Sequence, residues 1–327
     1  LEVNVDYLAL VAVDLLDREL LNVHIPFDAR AAGAQASVQQ IATALRELAL
    51  DPVLAERRII GVGVAIPGLI DAPSGAVTYA PNLGWQDLEL RKHLTDLLAT
   101  PELPVLVDND ANLGAIAEYR VGAYSGTPDL VYVTGEVGIG AGVLTNGSLL
   151  RGASGFAGEI GHVPLDANGP ECGCGRQGCV EALAGIDAIL HRAVPDKFPD
   201  RPLSGKDITD LVTTAVKRAE TGDTAAIGAM ESAGTWLGHG LAMLVNITNP
   251  RLIVLGGYFV PMGPWLLERA RSAAAEDSFA PDTGGCRIEL STLGLSAAAR
   301  GGAASMIYAL DSGELPLPAS RSSVAGR

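Results

Sequence analysis

The chain has 327 residues, 48% of them hydrophobic, and a formal net charge of −15. That length and apolar content suffice for two lobes with cores of their own, and they exclude a largely disordered chain. The acidic balance excludes a chain that itself grips nucleic acid by neutralising phosphates, but not a separate DNA-reading domain elsewhere.

The first 27 residues cluster as short β segments: Val3 and Val5, then 8–15, a polar turn at Asp17 and Arg18, then 20–27. This predicts an antiparallel meander. Val38, Ile41, Leu45 and Leu48 recur at helical spacing, and with Ser37 as candidate N-cap they predict a helix over 37–49. Residues 59–66 read as a buried strand ending in the turn signal Pro67-Gly68. Residues 80–98 begin as a loop, Pro81-Asn82-Leu83-Gly84-Trp85, and continue as a helix. Another strand covers 103–107; Asp108-Asn109-Asp110-Ala111-Asn112 closes it and opens a helix to about Tyr119. The polar residues at that junction have two readings. Asn109 or Asp110 can cap the helix, or Asp110 can act as a base at the carboxyl end of a central strand.

A second β unit begins with a strand over 130–134; Gly138-Ile139-Gly140-Ala141-Gly142 leads into the next, and Asn146-Gly147 signals a hairpin. The order repeats that of the first 27 residues and suggests a duplication without a residue-by-residue repeat. Helical spacing follows over 181–194, 206–220 and 223–245, with a proline-bearing loop at 196–204. Then come a strand over 251–255 ending in Gly256-Gly257-Tyr258, a helix over 263–275, a strand over 286–290 and a helix over 296–310. Residues 311–327, rich in Ser, Pro and Ala, read as a disordered tail.

Between Phe156 and Glu181 a Gly-rich segment gathers His162, Cys172, Cys174 and Cys179. One nitrogen and three sulfurs are the Cys₃His set that suits tetrahedral Zn²⁺, and a closed four-ligand site is structural rather than catalytic. The alternative is a set of free or disulfide-bonded cysteines. With three of four cysteines given to metal and only Cys286 left over, a reducing compartment fits better than a disulfide framework. No apolar run approaches the roughly 18 uncharged residues that span a bilayer, and no leader-like start is present. A cytoplasmic location without a membrane partner is therefore expected.

Glu159-Ile160-Gly161-His162, followed by the cysteine cluster and Glu181, resembles the signature of the ROK (repressor, open reading frame, kinase) family. Pro67-Gly68, Asn109-Asp110-Ala111-Asn112, Gly138-Ile139-Gly140-Ala141-Gly142 and Val254-Leu255-Gly256-Gly257 agree in order, so the resemblance runs to about Leu310. It implies an α/β fold of the actin-like ATPase and sugar-kinase type, with two α/β lobes around a central cleft. The lobes would be residues 1–117, completed by the helix at 296–310, and residues 118–295, carrying the zinc-binding segment 156–181. A homodimer or homotetramer is also implied.

By the same resemblance, a monosaccharide effector or substrate would be held by Gly68, Asn109, Asp110, Glu159, His162 and Glu181. Carboxylates and amides that bind adjacent hydroxyls in pairs reject analogues lacking one. His162 would serve twice, one ring nitrogen on zinc and the other on sugar. In kinase members the residue matching Asp110 is the catalytic base. Gly138, Gly140, Gly256 and Gly257 would mark a degenerate ATP site.

The phosphate loops depart from the kinase pattern. Where kinases carry Asp-x-Gly-Gly-Thr, this chain reads Val5-Asp6-Tyr7-Leu8-Ala9, or Asn4-Val5-Asp6-Tyr7-Leu8 in the shifted frame. Bulky Tyr7 and Leu8 would take the space of phosphate. Gly-Thr-Gly-Ile-Gly becomes Glu136-Val137-Gly138-Ile139-Gly140, whose carboxylate would repel a polyphosphate by about 1 to 4 kcal/mol. Tyr258 would fill part of an adenine pocket. ATP and Mg are accordingly not expected.

The start of the chain is similar to the repressor branch, the xylose-repressor type, whose winged helix-turn-helix domain would lie upstream of Leu1. The first reading is the sugar-sensing, oligomerising region of a ROK transcriptional regulator with structural zinc, reaching DNA only through that upstream domain. The alternative is an ATP-dependent hexose kinase of glucokinase type with Asp110 as base.

Overall fold

Alternating apolar residues at the start of the chain build the first sheet. In the computed structural model, which describes residues 1–100, 102–199, 205–279 and 285–315, β1 (Glu2–Val3), β2 (Tyr7–Val13) and β3 (Glu19–Pro26) form the expected meander. The helix that follows starts earlier than its spacing suggested. α1 (Ala29–Ala49) is capped by Asp28, whose side chain accepts from the Ala31 amide, and it kinks at Gly33. Ser37 is not a cap: its hydroxyl donates to the Gly33 and Ala29 carbonyls from inside the helix.

Next come β4 (Val62–Ile66), β5 (Leu69–Asp71), β6 (Ala76–Ala80), β7 (Trp85–Leu88), α2 (Leu90–Leu98) and β8 (Val105–Asn109). β5, β6 and β7 make a small antiparallel sheet that the sequence did not suggest; the expected loop at 81–85 covers the turn that joins β6 to β7. Trp85 is buried there, and that burial holds so short a strand in place. The chain continues through α3 (Asp110–Arg120), β9 (Leu130–Gly135), β10 (Ile139–Thr145) and β11 (Ser148–Leu149). Asn146 and Gly147 join the last two with φ of 51° and 75°, the positive pair a type I′ hairpin requires.

A single 3₁₀ turn at Ile160–His162 precedes α4 (Val180–Ala184) and α5 (Ile186–Ala193). The one helix expected over 181–194 is thus broken at Gly185, whose amide closes the first segment on the Glu181 carbonyl. α6 (Gly205–Glu220), α7 (Thr224–Thr248), β12 (Leu252–Gly257), α8 (Phe259–Asp277), β13 (Arg287–Leu290) and α9 (Ala297–Asp311) complete the order. Of the expected loop at 196–204, residues 200–204 lie outside the described residues, as do residues 316–327 of the expected tail.

Among the described residues, the first large sheet runs β3-β2-β1-β4-β8 and the second β11-β10-β9-β12-β13. Each has an antiparallel meander first and two parallel strands after it, in the same spatial order. The duplication suggested by the sequence is therefore visible as matching topology. The fold is the actin-like, sugar-kinase α/β fold. Each sheet anchors a core, one around Leu8, Ile41, Val64 and Trp85, the other around Val133, Ile189, Leu241 and Phe259. Val137 packs against both.

α3 and α9 pack on one another between the sheets, and α9 also lies on β4 and β2. No helix among the described residues is long and apolar enough to cross a membrane.

Candidate functional site

The site forms where parallel strands end, the position at which open α/β sheets offer a crevice. β8 stops at Asn109 and α3 starts at Asp110. Asn109 is the N-cap: its Oδ1 accepts from the Asn112 amide at 3.0 Å. Its Nδ2 donates to the Gly68 carbonyl at 3.0 Å and to Asp110 Oδ1 at 2.9 Å. Both amide hydrogens are thus committed, so Asn109 orients Gly68 and Asp110 and keeps only a spare lone pair for a ligand. The capping reading therefore holds for Asn109, and the cap sets Asp110 at the end of β8. Burial pushes Asp110 up to about 6, against the Ala111 amide that holds it down and with the charge of Glu159 adding to the rise.

Glu159, His162 and Glu181 come from the second lobe. The Glu159 carboxylate is raised by partial withdrawal from water, lowered by the His162 ring and raised again by Glu181. Glu181 Oε2 accepts from the Ile139 amide at 2.9 Å. A β-carbon on Gly138 would run into the same oxygen and approach Asn82 Nδ2. Gly138, assigned by sequence to the nucleotide side, therefore borders Glu181. Gly140 faces Ala111 on α3.

The sulfurs lie behind this wall. Cys172 Sγ is 3.7 Å from His162 Nδ1 and 3.8 Å from Glu181 Oε1, while Cys174 and Cys179 sulfurs are 3.7 Å apart. His162, Cys172 and Cys174 offer ligand atoms within 4.8 Å of one another. Cys179 Sγ lies 3.6 Å from the His162 carbonyl oxygen. Tetrahedral zinc with sulfur at about 2.3 Å has an S···S edge of about 3.8 Å; the Cys174–Cys179 separation matches that edge, while Cys179, the fourth expected donor, lies outside the group formed by His162, Cys172 and Cys174. Backbone geometry supports the cluster: Gly178 has φ of 62°, and a β-carbon there would strike the Asp166 carbonyl. The Cys172 amide donates to the Arg176 carbonyl at 2.7 Å, which folds the ligand loop on itself.

On the other side of the cleft, β9 ends beside Glu136. Its Oε2 accepts a hydrogen bond from Asn4 Nδ2 and stands 3.4 Å from the Tyr7 hydroxyl. Tyr7 donates to Glu2 Oε1 at 3.2 Å, and Glu2 is 1% exposed with Oε2 unpartnered. Burial pushes Glu136 up to about 8, with the charge of Asp110 contributing. Burial and then the Glu136 charge raise Glu2 well above the usual carboxylate range.

Two expectations change as a result. At neutral pH Glu136 is mostly protonated, so occupation and hydrogen bonding obstruct the cleft here more than charge does. Leu8 does not face the cleft, because alternation along β2 sends it into the core while Tyr7 points across. Gly256 and Gly257 lie alongside, against Tyr132 and against Thr134, Gly135 and Glu136. The Tyr258 hydroxyl is 2.9 Å from Thr209 Oγ1, and its ring is buried in the second core.

Sequence reasoning did not single out Asn4, whose partner Glu136 is remote in sequence, nor Glu2, which accepts from Tyr7, nor the ion pair of Asp108 with Arg151. A lone arginine opening the otherwise uncharged run Arg151-Gly152-Ala153-Ser154-Gly155 was the available signal.

The model of the ROK family matches residues 8–308. The xylose repressor of Caldicellulosiruptor bescii is 34% identical over 239 residues, 72% of this chain and 59% of the repressor. A glucokinase of Halalkalibacterium halodurans is 32% identical over 250 residues, 75% of each chain. Among solved structures, a ROK family glucokinase from Streptomyces griseus in complex with glucose and AMPPNP superposes with a TM-score of 0.77 at 27% identity, covering 92% of this chain and 96% of that one. The chain thus spans about 59% of the repressor's length.

Proposed function

This chain belongs to the ROK family, and from that premise we propose that it is the sugar-sensing and self-associating region of a transcriptional regulator of the xylose-repressor kind. The observation that carries this reading is the contrast between the two sides of the cleft. One side carries Asp110, Glu159, His162 and Glu181, groups suited to sugar hydroxyls, while the other holds the hydrogen-bonded Asn4–Glu136–Tyr7–Glu2 network. Phosphoryl transfer depends on positioning and neutralising the phosphates, and this network supplies neither a glycine cradle nor a cation.

A monosaccharide would bind through its adjacent hydroxyls, with Asp110 and Glu159 contributed by different lobes. Binding energy realised only with the lobes together shifts the population toward the closed arrangement. In a dimer or tetramer that shift would change the spacing of DNA-reading domains carried on the same polypeptides. His162, Cys172, Cys174 and Cys179 would hold zinc, which would fix the ring of His162 and brace the wall carrying Glu159 and Glu181.

A second reading, an ATP-dependent hexose kinase, draws on Asp110. A carboxyl pushed up to about 6 at a strand end is suited to accept a proton from a hydroxyl near neutral pH. ADP release coupled to a sugar panel, with Asp110→Asn as control, separates the two. The regulator reading expects no sugar-dependent ADP release alongside measurable sugar binding by calorimetry. Sugar-dependent turnover that disappears in Asp110→Asn would overturn it.

A further inference from the structure

The two halves of the proposed sugar site come from different lobes, and behind them the ion pair of Arg151 with Asp108 joins the two. Asp108, the residue before Asn109, is 2% exposed. Arg151 follows β11 in the second sheet, and its Nη1 and Nη2 meet Asp108 Oδ1 at 3.0 Å and Oδ2 at 2.6 Å. This is the two-pronged fork that a guanidinium forms and an ammonium cannot. Asp108 Oδ1 also accepts from the Asn109 amide at 2.8 Å, with Asn112 Nδ2 at 3.5 Å. The carboxylate is therefore the hub that sets the backbone of Asn109 and the first turn of α3.

Arg151 has a second attachment, through its backbone. Its carbonyl accepts from the Ala157 amide at 3.2 Å, which closes residues 151–157 into a loop. Ala157 is two residues before Glu159. The same residue thus grips the Asn109–Asp110 corner with its side chain and the run-up to Glu159 with its main chain. It shares no hydrogen bond with Asn109, Asp110, Glu159, His162 or Glu181, so its effect on them passes through Asp108 and the loop.

We propose that Arg151 is a positioning residue that registers the two halves of the sugar site against each other, so that effector affinity depends on a side chain that does not touch the sugar. The proposal rests on the sugar-binding reading of this cleft. Removing the guanidinium leaves Asp108 buried and short of its principal partner, free to reorient or to take up water. The Asn109–Asp110 corner then loses its fixed relation to Glu159. Misplacement of about 1 Å at a constellation of polar groups costs on the order of a hundredfold.

The test titrates D-xylose and D-glucose into the parent protein, Arg151→Ala, Arg151→Lys, Asp108→Asn and the double variant Arg151→Ala with Asp108→Asn. The unfolding midpoint is recorded for each, and amide hydrogen exchange is followed without sugar. The expected result is a loss of affinity of about ten- to a hundredfold in Arg151→Ala, partial rescue in Arg151→Lys, and a double variant no weaker than its worse parent. Exchange should rise together at 109–112 and at 152–158. Unchanged sugar affinity in Arg151→Ala overturns the proposal. So does an affinity loss that Arg151→Lys fails to relieve and that merely tracks the fall in midpoint. If neither sugar binds the parent protein, the effector reading is at fault and exchange alone decides: joint loss of protection at both segments supports the registering role, and loss at 152–158 alone refutes it.

Discussion

Replacing Glu136 by Gln should remove much of the pH dependence of stability between pH 5.5 and 8. The carboxyl of Glu136 is raised from an ordinary 4.5 to about 8, chiefly by burial. Below pH 4.5 both folded and unfolded chains hold the proton, and the folded state keeps the full benefit of the neutral network. Between these values the unfolded chain has lost its proton while the folded chain retains it. Each pH unit then removes about 1.4 kcal/mol from stability, and the loss is complete once pH passes the folded value. From pH 5.5 to 8 the sum is on the order of 3 kcal/mol.

Gln keeps an oxygen for Asn4 Nδ2 and has no proton to lose. Asp110 and Asp6 are both pushed up to about 6, the same direction, so the parent slope has other contributors and the informative quantity is the difference between parent and variant. Urea unfolding at half-unit steps from pH 5.5 to 8.5 gives that difference from midpoints at constant m. It should move in favour of Glu136→Gln by about 3 kcal/mol across the range. A flat difference, or one that moves in favour of the parent, refutes the protonated-network argument.

Cys174→Ser, or exhaustive chelation, should release bound zinc measured by elemental analysis and weaken sugar binding by about tenfold or more, since on the proposed reading His162 would belong to both sites. Undiminished sugar affinity after verified metal loss would remove the shared-histidine claim. Gly63→Ala should cost about 1 to 3 kcal/mol of stability, since a β-carbon there would enter the backbone of Gly302 on α9. A urea midpoint within error of the parent would show that α9 can shift without cost.

What could be read from the sequence was chemistry carried by neighbours in the chain. His162 and the three cysteines lie within 18 residues, and Asn146-Gly147 dictates its turn by the φ values those two residues tolerate. Asn109 capping α3 was legible for the same reason. The small sheet of β5, β6 and β7 was not, because its short strands are stabilised by the burial of Trp85 and Val77 rather than by their own propensity. The earlier start of α1 was hidden by alanines and Gly33, which carry no apolar period. Tyr7 stood out by its bulk, but its hydrogen bond to Glu2, and the one linking Asn4 to Glu136, join residues that a linear reading does not pair. Arg151 and Asp108 are 43 positions apart in different lobes, so only the folded chain makes them partners.

The return of α9 to the first sheet bears on how the chain is made. A ribosome releases β4 some 240 residues before α9 is finished, a delay of roughly 10 to 50 seconds at ordinary synthesis rates. Throughout that interval the glycine-lined face around Gly63 lacks the helix that covers it. The first half of the chain to emerge is therefore among the last to be completed. A message truncated before residue 297 should damage the beginning of the protein rather than its end, and a chaperone that waits on nascent chains would have its longest task at the amino-terminal sheet.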